Sequence, residues 1–144
     1  MKNYKIIFIL SILANVFTLD TKDPEFVKQF KLKHITEGDG KSFPKKGFSV
    51  KVHYTGSFPD TEKKFDSSRD RGNAFTFTLG KGEVIKCWDL VVERLSIGER
   101  VQVVCPSKLA YGERGAGGVI PPNADIAFDI EMLGFKDYSK KDEA

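Results

Sequence analysis

The chain has 144 residues, of which 40% are hydrophobic and twelve are phenylalanine, so it can bury one compact core. Its 23 basic and 20 acidic residues give a formal net charge of only +3, which argues against a nucleic-acid-binding protein with a basic face. The two histidines and two cysteines match no zinc-binding spacing, and the sequence predicts no metal or other cofactor.

The first nineteen residues differ in composition from the rest of the chain. Lys2 and Lys5 precede an apolar run from Ile6 to Leu13, as in a secretory signal peptide. This run is shorter than the ~20 apolar residues that a membrane-spanning helix needs, so we prefer a removed leader at 1–19 over a membrane anchor. The leader contains two lysines and no acidic residue, and its removal leaves 21 basic and 20 acidic residues. We therefore expect a nearly neutral domain in the secretory pathway.

The first half of the remaining chain shows the alternation of half-buried strands. Apolar residues alternate with lysines from Val27 to Ile35, before a glycine-rich turn that includes Gly38. The same period of two recurs in Phe48–Phe58 and in Ala74–Leu79. These patterns predict three strands.

The second half contains a change of period. Between Gly82 and Gly98 the apolar residues recur at three and four positions, which predicts one short amphipathic helix. The residues of that stripe are Ile85, Trp88, Val92 and Leu95. Strand character returns at Arg100–Val104 and at Ile126–Leu133, separated by a glycine-rich loop around 111–118. The simplest architecture that accommodates these elements is an α+β fold with an antiparallel sheet around one helix.

Few residues could act as a nucleophile or as a general base. The histidines, His34 and His53, both fall on predicted strands, and no hydrolase motif surrounds them. Asp66 and Asp70 could form an acid and base pair, but such residues in a serine- and arginine-rich segment more often make turn and ion-pair contacts.

The two cysteines leave two alternatives open. In an oxidising lumen, Cys87 and Cys105 could form one disulfide, which would stabilise the fold by about 3 kcal/mol through loop closure. They could equally be two buried thiols that pack as small hydrophobic side chains.

Five short motifs follow one another along the chain. They are Val52-His53-Tyr54-Thr55-Gly56, Lys64-Phe65-Asp66-Ser67-Ser68-Arg69-Asp70-Arg71, Glu83-Val84-Ile85-Lys86-Cys87-Trp88-Asp89, Ala110-Tyr111-Gly112 and Ile120-Pro121-Pro122-Asn123-Ala124, the last followed by Phe128-Asp129. In this order and spacing they resemble the FKBP-type peptidyl-prolyl isomerases. The resemblance implies a half-barrel, in which a twisted antiparallel sheet wraps around one short α-helix with an apolar pocket between them. It also implies isomerisation of X-Pro bonds in polypeptide substrates, and binding of the macrolides tacrolimus and rapamycin.

The resemblance assigns roles to the residues of these motifs. Trp88 would form the floor of the pocket, while the Ile85 amide and the Tyr111 hydroxyl would donate hydrogen bonds to the ligand. Asp66 would accept a further hydrogen bond, supported by Arg71. The residues implied in catalysis are Tyr54, Phe65, Asp66, Trp88, Tyr111 and Phe128, and those implied in binding substrate or drug are Arg71, Phe75, Val84, Ile85, Val119 and Ile120.

The same residues have structural alternatives. A lone tryptophan on a helical stripe is usually buried core, so spacing alone would not make Trp88 functional. Tyr54 could be a core residue with a satisfied hydroxyl, and Asp66 with Arg71 could be a structural ion pair. For the whole pocket, the alternative function is a non-catalytic module or chaperone that binds proline-containing segments.

The resemblance also divides the chain and pairs its cysteines. It implies an N-terminal segment at 20–29, an isomerase domain at 30–135 and a charged tail at 136–144, and we expect a monomer. In the family the helix packs against the strand that follows it, so a disulfide between Cys87 and Cys105 is feasible. The last four residues, Lys141-Asp142-Glu143-Ala144, resemble an endoplasmic-reticulum retrieval signal with Ala in place of the expected Leu. The reticulum lumen is therefore the first expected location and full secretion the second.

Overall fold

The computed structural model describes residues 20–139, so the predicted signal peptide and the retrieval-like tetrapeptide lie outside the described residues. In chain order the elements are α1 (Pro24–Gln29), β1 (Lys33–Thr36), β2 (Ser49–Ser57), β3 (Lys64–Ser67), α2 (Ser68–Arg71), β4 (Phe75–Thr78), α3 (Lys86–Val92), β5 (Arg100–Cys105), a 3₁₀ helix (Ser107–Leu109) and β6 (Ile126–Lys136). Over the described range, none of the helices has the length and apolar character needed to cross a membrane.

The strands form one antiparallel sheet. Its order is β1-β5-β6-β2-β3, and β4 pairs with β2 as well. The long central strands β2 and β6 place Tyr54 opposite Ile130. Because side chains alternate between the two faces of a strand, Val50, Val52 and Tyr54 are buried on the inner face while Lys51 lies on the outer face. The predicted antiparallel sheet is confirmed, and β2 lies one residue inside each end of the predicted strand.

The short helix α3 packs against the inner face of the sheet. Its buried side chains are Cys87, Trp88, Val91 and Val92. The helical prediction is confirmed, although Ile85 is the N-cap and Leu95 lies beyond the last helical residue. Two tighter hydrogen bonds, from Arg94 N to Val91 O and from Leu95 N to Val92 O, continue the turn, so Leu95 is still buried.

The prediction of one strand from Val27 to Ile35 is wrong in its first part. Asp23 caps a helical turn by accepting a hydrogen bond from the Glu25 amide at 3.0 Å, and Pro24 occupies the first helical position. The rings of Phe26 and Phe30 then meet with centroids 4.8 Å apart, at the i,i+4 spacing of a helix face. β1 begins only at Lys33, and all four of its residues are exposed.

The segment from Lys64 to Arg71 forms regular secondary structure, whereas the sequence predicted turn and ion-pair contacts for its two acidic residues. It forms the edge strand β3, followed by the single turn α2, and Gly72 ends that turn at φ 70°. Both acids do have cationic partners, because Asp66 pairs with Arg71 and Asp70 pairs with Lys64. The two carboxylates therefore serve separate ion pairs.

The structure joins Cys87 and Cys105 by a disulfide. Their Cα atoms are 5.8 Å apart and both residues are fully buried. The bond links the first turn of α3 to the last residue of β5. It ties the helix that carries Trp88 to the sheet.

Candidate active site

An aromatic cavity of about 310 Å³ opens between α3 and the inner face of the sheet. Its lining comes from four strands, α3 and two connecting segments. The lining residues are Tyr54, Phe65, Asp66, Phe75, Glu83, Val84, Ile85, Trp88, Tyr111 and Phe128. Nine of these ten residues belong to the predicted site. The tenth, Glu83, was not predicted, although it directly precedes Val84 and Ile85 in the motif.

Trp88 forms the floor of this cavity. Its ring lies edge-on to Tyr54, Phe128 and Phe75, with centroids 4.9, 5.2 and 5.9 Å away. Edge-to-face contacts of this kind are favourable for aromatic rings, so the three neighbours fix the orientation of the indole. Only 4% of Trp88 is exposed, and its Nε1 has no hydrogen-bond partner among the described residues. The floor is therefore a rigid and apolar surface.

Gly56 explains how the Phe65 ring enters the cavity. A Cβ atom at this position would lie 2.6 Å from the Phe65 Cζ atom and 3.0 Å from the Phe128 ring. The missing side chain lets Phe65 lie over β2, with its ring centroid 6.2 Å from that of Phe128. The glycine of the Val52-His53-Tyr54-Thr55-Gly56 motif thus makes room for an aromatic wall. Sequence reasoning did not single it out.

Three polar groups meet at one edge of the cavity. The Tyr54 hydroxyl and an Arg71 Nη1 both donate hydrogen bonds to the Asp66 carboxylate, and Arg71 Nη2 donates to the Tyr54 oxygen at 3.0 Å. Desolvation by itself would raise the pKa of Asp66, but the two donors and the Arg71 charge together hold that pKa below its usual value. Desolvation, together with the hydrogen bond to Asp66, raises the pKa of Tyr54. At neutral pH the edge holds a carboxylate and a neutral phenol.

A buried serine supports Tyr54 from behind. The Tyr54 amide donates a hydrogen bond of 2.8 Å to Ser68 Oγ, which also lies 2.9 Å from His53 Nδ1. Ser68 is fully buried at the start of α2. His53 is half-buried on the outer face of β2, which confirms its predicted place on a strand. Ser68 and His53 therefore support the backbone of β2 at Tyr54. The Ser68 hydroxyl is not among the groups that line the cavity.

Besides the buried Trp88 Nε1, two hydrogen-bond donors at the cavity are unused. Neither the Ile85 amide nor the Tyr111 hydroxyl donates a hydrogen bond to any group within residues 20–139. Both residues are half-buried at the cavity. Desolvation, and then the charge of Asp66, raises the pKa of Tyr111, so its hydroxyl keeps its proton at neutral pH. A bound carbonyl group could accept a hydrogen bond from each of them.

Three predicted binding residues do not line the cavity. Arg71 stands behind Asp66, as the resemblance implied. Val119 is 58% exposed and Ile120 is buried, because hydrogen bonds between Ala116 and Ile120 fold this segment into a tight turn. Ile120 packs into the hydrophobic core, and Val119 is largely exposed. Among the described residues, there is no group of three or more histidine, cysteine or acidic side chains that could hold a metal ion.

The comparisons with known proteins agree with this site. Residues 40–133 match the family described as FKBP-type peptidyl-prolyl cis-trans isomerase. The chain is 54% identical over 99 residues to peptidyl-prolyl cis-trans isomerase Fkbp12 of Drosophila melanogaster, and 52% identical over 99 residues to peptidyl-prolyl cis-trans isomerase FKBP1A of Xenopus laevis. Each alignment covers 69% of this chain and 91% of the relative. FK506-binding protein 1 of Saccharomyces cerevisiae is 48% identical over 103 residues, which cover 72% of this chain and 90% of the relative. The chain therefore belongs to the family of FKBP-type peptidyl-prolyl cis-trans isomerases.

Proposed function

We propose that the aromatic cavity is the site at which this isomerase accelerates rotation about X-Pro bonds, and that it does so without covalent chemistry. The observation that carries the proposal is the convergence of six aromatic rings, the unused Ile85 amide and the unused Tyr111 hydroxyl on one cavity. Such a site can bind an apolar ring and the carbonyl groups beside it. Within the described residues no serine or threonine hydroxyl and no thiol lines the cavity, and the Tyr54 phenol that donates to Asp66 keeps its proton, so a nucleophilic mechanism has no support.

The physics of the reaction suits these residues. Rotation about a prolyl amide has a barrier of ~18–20 kcal/mol because the amide loses its resonance at the twisted state. No bond breaks, so the site needs only to bind the twisted amide more tightly than the planar isomers. An acceleration of ~10⁴-fold requires about 5 to 6 kcal/mol of this preference. A twisted amide has a less polarised carbonyl, so an apolar cavity that excludes water favours it over the planar form.

In our proposal, different residues of the cavity bind different parts of the peptide. The proline ring lies over Trp88, between the Tyr54 and Phe128 rings. The Ile85 amide and the Tyr111 hydroxyl orient the peptide by donating to its carbonyl groups. Asp66, held at the edge by Tyr54 and Arg71, accepts a further hydrogen bond from the bound ligand. The wall formed by Phe65 and Tyr111 favours an apolar residue before the proline.

We further propose that macrolides occupy the same cavity. A relative at 48% identity is named FK506-binding protein 1, and the ten lining residues offer an apolar surface with the same pair of donors. Tacrolimus and rapamycin would then compete with peptide substrate.

We propose the secretory pathway as the location, with the reticulum lumen preferred over secretion. The support is the apolar leader at 1–19, the disulfide between Cys87 and Cys105, and the charged terminus at 141–144. Residues 1–30 fused to a reporter enzyme should send the reporter into membrane-enclosed fractions, where added protease cannot digest it. Equal digestion of the fusion and of the reporter alone would contradict this location.

A protease-coupled assay on a Leu-Pro tetrapeptide tests the catalytic proposal. The wild-type chain should accelerate isomerisation by several orders of magnitude over the uncatalysed rate. Trp88→Leu should lose most of that acceleration, while Tyr138→Leu, at an exposed aromatic outside the site, should keep it. Peptide binding without acceleration would favour the alternative function, a module that only holds proline-containing segments.

A further inference from the structure

The outer face of the sheet carries a groove that the isomerase site does not use. Its floor is made by Ser57, Ala127 and Val104, which lie side by side on β2, β6 and β5 in register. A cavity of about 360 Å³ opens over all three floor residues, and one of about 470 Å³ adjoins it at Val104. Both cavities are lined by Lys31, Phe58, Pro59 and Val104. We call this joined concavity the outer groove. Each of its two parts is larger than the aromatic cavity of about 310 Å³.

Both walls of the outer groove are held by backbone hydrogen bonds. On one side the β2–β3 hairpin is closed by bonds from Phe58 N to Lys63 O at 3.0 Å and from Glu62 N to Phe58 O at 2.8 Å. On the other side a bond of 2.7 Å from Val104 N to Phe30 O fixes the chain that leads to Lys31. The groove is therefore formed before any ligand binds, which lowers the entropy cost of binding.

Aromatic rings connect the outer groove with the isomerase cavity. Phe58 lines the groove, and its ring centroid lies 5.2 Å from that of Phe65 at the cavity. Phe65 in turn lies 6.2 Å from Phe128, which borders both concavities. The two concavities therefore share a border at Phe128, and the Phe58 and Phe65 rings are in contact between them.

The chemistry of the outer groove fits a polypeptide better than an anion. Val104 and Ala127 provide a small apolar floor. Lys31 and Lys33 border one side, but Asp60 and other acids border the same concavities. Acidic side chains on the rim would repel a phosphate or a nucleic acid, whereas a peptide backbone tolerates charges of both signs.

We propose that the outer groove binds the part of the substrate polypeptide that flanks the isomerised proline, as an extended segment with an aliphatic side chain over Val104 and Ala127. The proposal rests on the function proposed for the aromatic cavity. It gives the enzyme a preference for proline sites in extended, unfolded chains over short peptides. The groove acts on affinity, so its contribution belongs to KM and leaves kcat unchanged.

The experiment measures kcat/KM of the full chain on three peptides. The first is a Leu-Pro tetrapeptide, and the other two carry the same sequence extended by six residues on the N-terminal or on the C-terminal side. Each extension contains valine and alanine. One of the two extended peptides should show a kcat/KM about three- to tenfold higher through a lower KM, as partial burial of one aliphatic side chain predicts. Ala127→Tyr fills the floor, so the ratio of extended to short peptide should fall to about one in this variant. Lys51→Tyr places the same ring on the outer face of the sheet, on β2 and outside the groove, and should keep the ratio.

The outcomes separate this proposal from the function of the cavity. If neither extension raises kcat/KM in the wild-type chain, the groove proposal is overturned, while turnover of the tetrapeptide still supports the cavity. An unchanged ratio in folded Ala127→Tyr would also overturn it. Should circular dichroism show that Ala127→Tyr is unfolded, Val104→Tyr blocks the same floor from β5, and the wild-type comparison still decides. Absence of tetrapeptide turnover would instead contradict the function proposed for the cavity.

Discussion

The floor and the far wall of the aromatic cavity are built in different ways. The floor consists of Tyr54, Trp88 and Phe128, which are at most 8% exposed and belong to regular strands or to α3. The far wall carries Tyr111, which is half-buried in a connecting segment. There a few turn hydrogen bonds, such as that from Gly112 N to Ser107 O at 2.8 Å, hold the backbone.

Because of this difference, substitutions in the floor and in the far wall should affect the free energy of unfolding and the ligand affinity differently. The floor residues are part of the hydrophobic core, so a change there alters the free energy of unfolding together with activity. Tyr111 on the far wall is only half-buried and its hydroxyl bonds no described group, so loss of that hydroxyl should alter ligand affinity alone. The predictions below test this separation, from the largest expected effect to the smallest.

Trp88→Ala should have the largest effect. Removal of a buried tryptophan from a core costs about 3–5 kcal/mol of unfolding free energy, and the proline ring loses its floor. Urea unfolding and the coupled isomerisation assay measure the two losses. Tyr138→Ala is the matched control, because that ring is 69% exposed. A stable and active Trp88→Ala protein would show that the indole is not the floor of the site.

Removal of the disulfide should destabilise the floor through α3. The bond closes a loop with a sequence separation of 18, for which chain entropy predicts about 3 kcal/mol of stabilisation. A Cys87→Ala and Cys105→Ala double variant should unfold at a correspondingly lower urea concentration. Below its unfolding transition it should still isomerise the tetrapeptide. A denaturation midpoint equal to that of the oxidised wild-type chain would contradict the prediction.

Gly56→Ala should displace the Phe65 ring. The new Cβ would lie 2.6 Å from that ring, and overpacking of this kind costs about 1–3 kcal/mol. We expect lower stability and a higher KM for apolar-Pro peptides. Gly134→Ala is the control, because no atom lies within 4 Å of a Cβ at that position. Equal behaviour of the two variants would mean that Gly56 does not set the position of Phe65.

Tyr111→Phe should have the smallest effect and should change binding only. The variant keeps the ring and loses the unused hydroxyl, so a hydrogen bond to the ligand worth about 1 kcal/mol disappears. Macrolide affinity should fall about fivefold with an unchanged denaturation midpoint. A measurable loss of stability would show that the far wall contributes to the core.

The sequence predicted best where one physical rule acts alone. Strict alternation defined β2, and three-and-four spacing defined α3, because burial on one face decides both. It failed at Val27–Ile35, where Phe26 and Phe30 also have helical spacing and the Asp23 cap selects the helix. The segment that contains Val119 and Ile120 was harder to predict than these elements. Its local hydrogen bonds, and no repeating pattern, decide that Ile120 is buried while Val119 is exposed.

The site was predicted from whole motifs more than from single residues. Spacing could not separate a functional Trp88 from ordinary core, and only the resemblance placed it in a pocket. The disulfide also remained open on sequence alone, because pairing depends on α3 packing against β5. Gly56 could not be recognised as a space for Phe65 before the two strands were aligned, since the contact crosses the β2–β3 pair.

One titration tests the central claim that a single cavity around Trp88 carries the activity. Trp88 is the only tryptophan of the chain, so its fluorescence reports on the floor without further labelling. Rapamycin should change this fluorescence and abolish isomerisation of the tetrapeptide along the same curve, with an end point of one drug per chain. Full turnover after the fluorescence change is complete would contradict the claim, because the activity would then lie elsewhere.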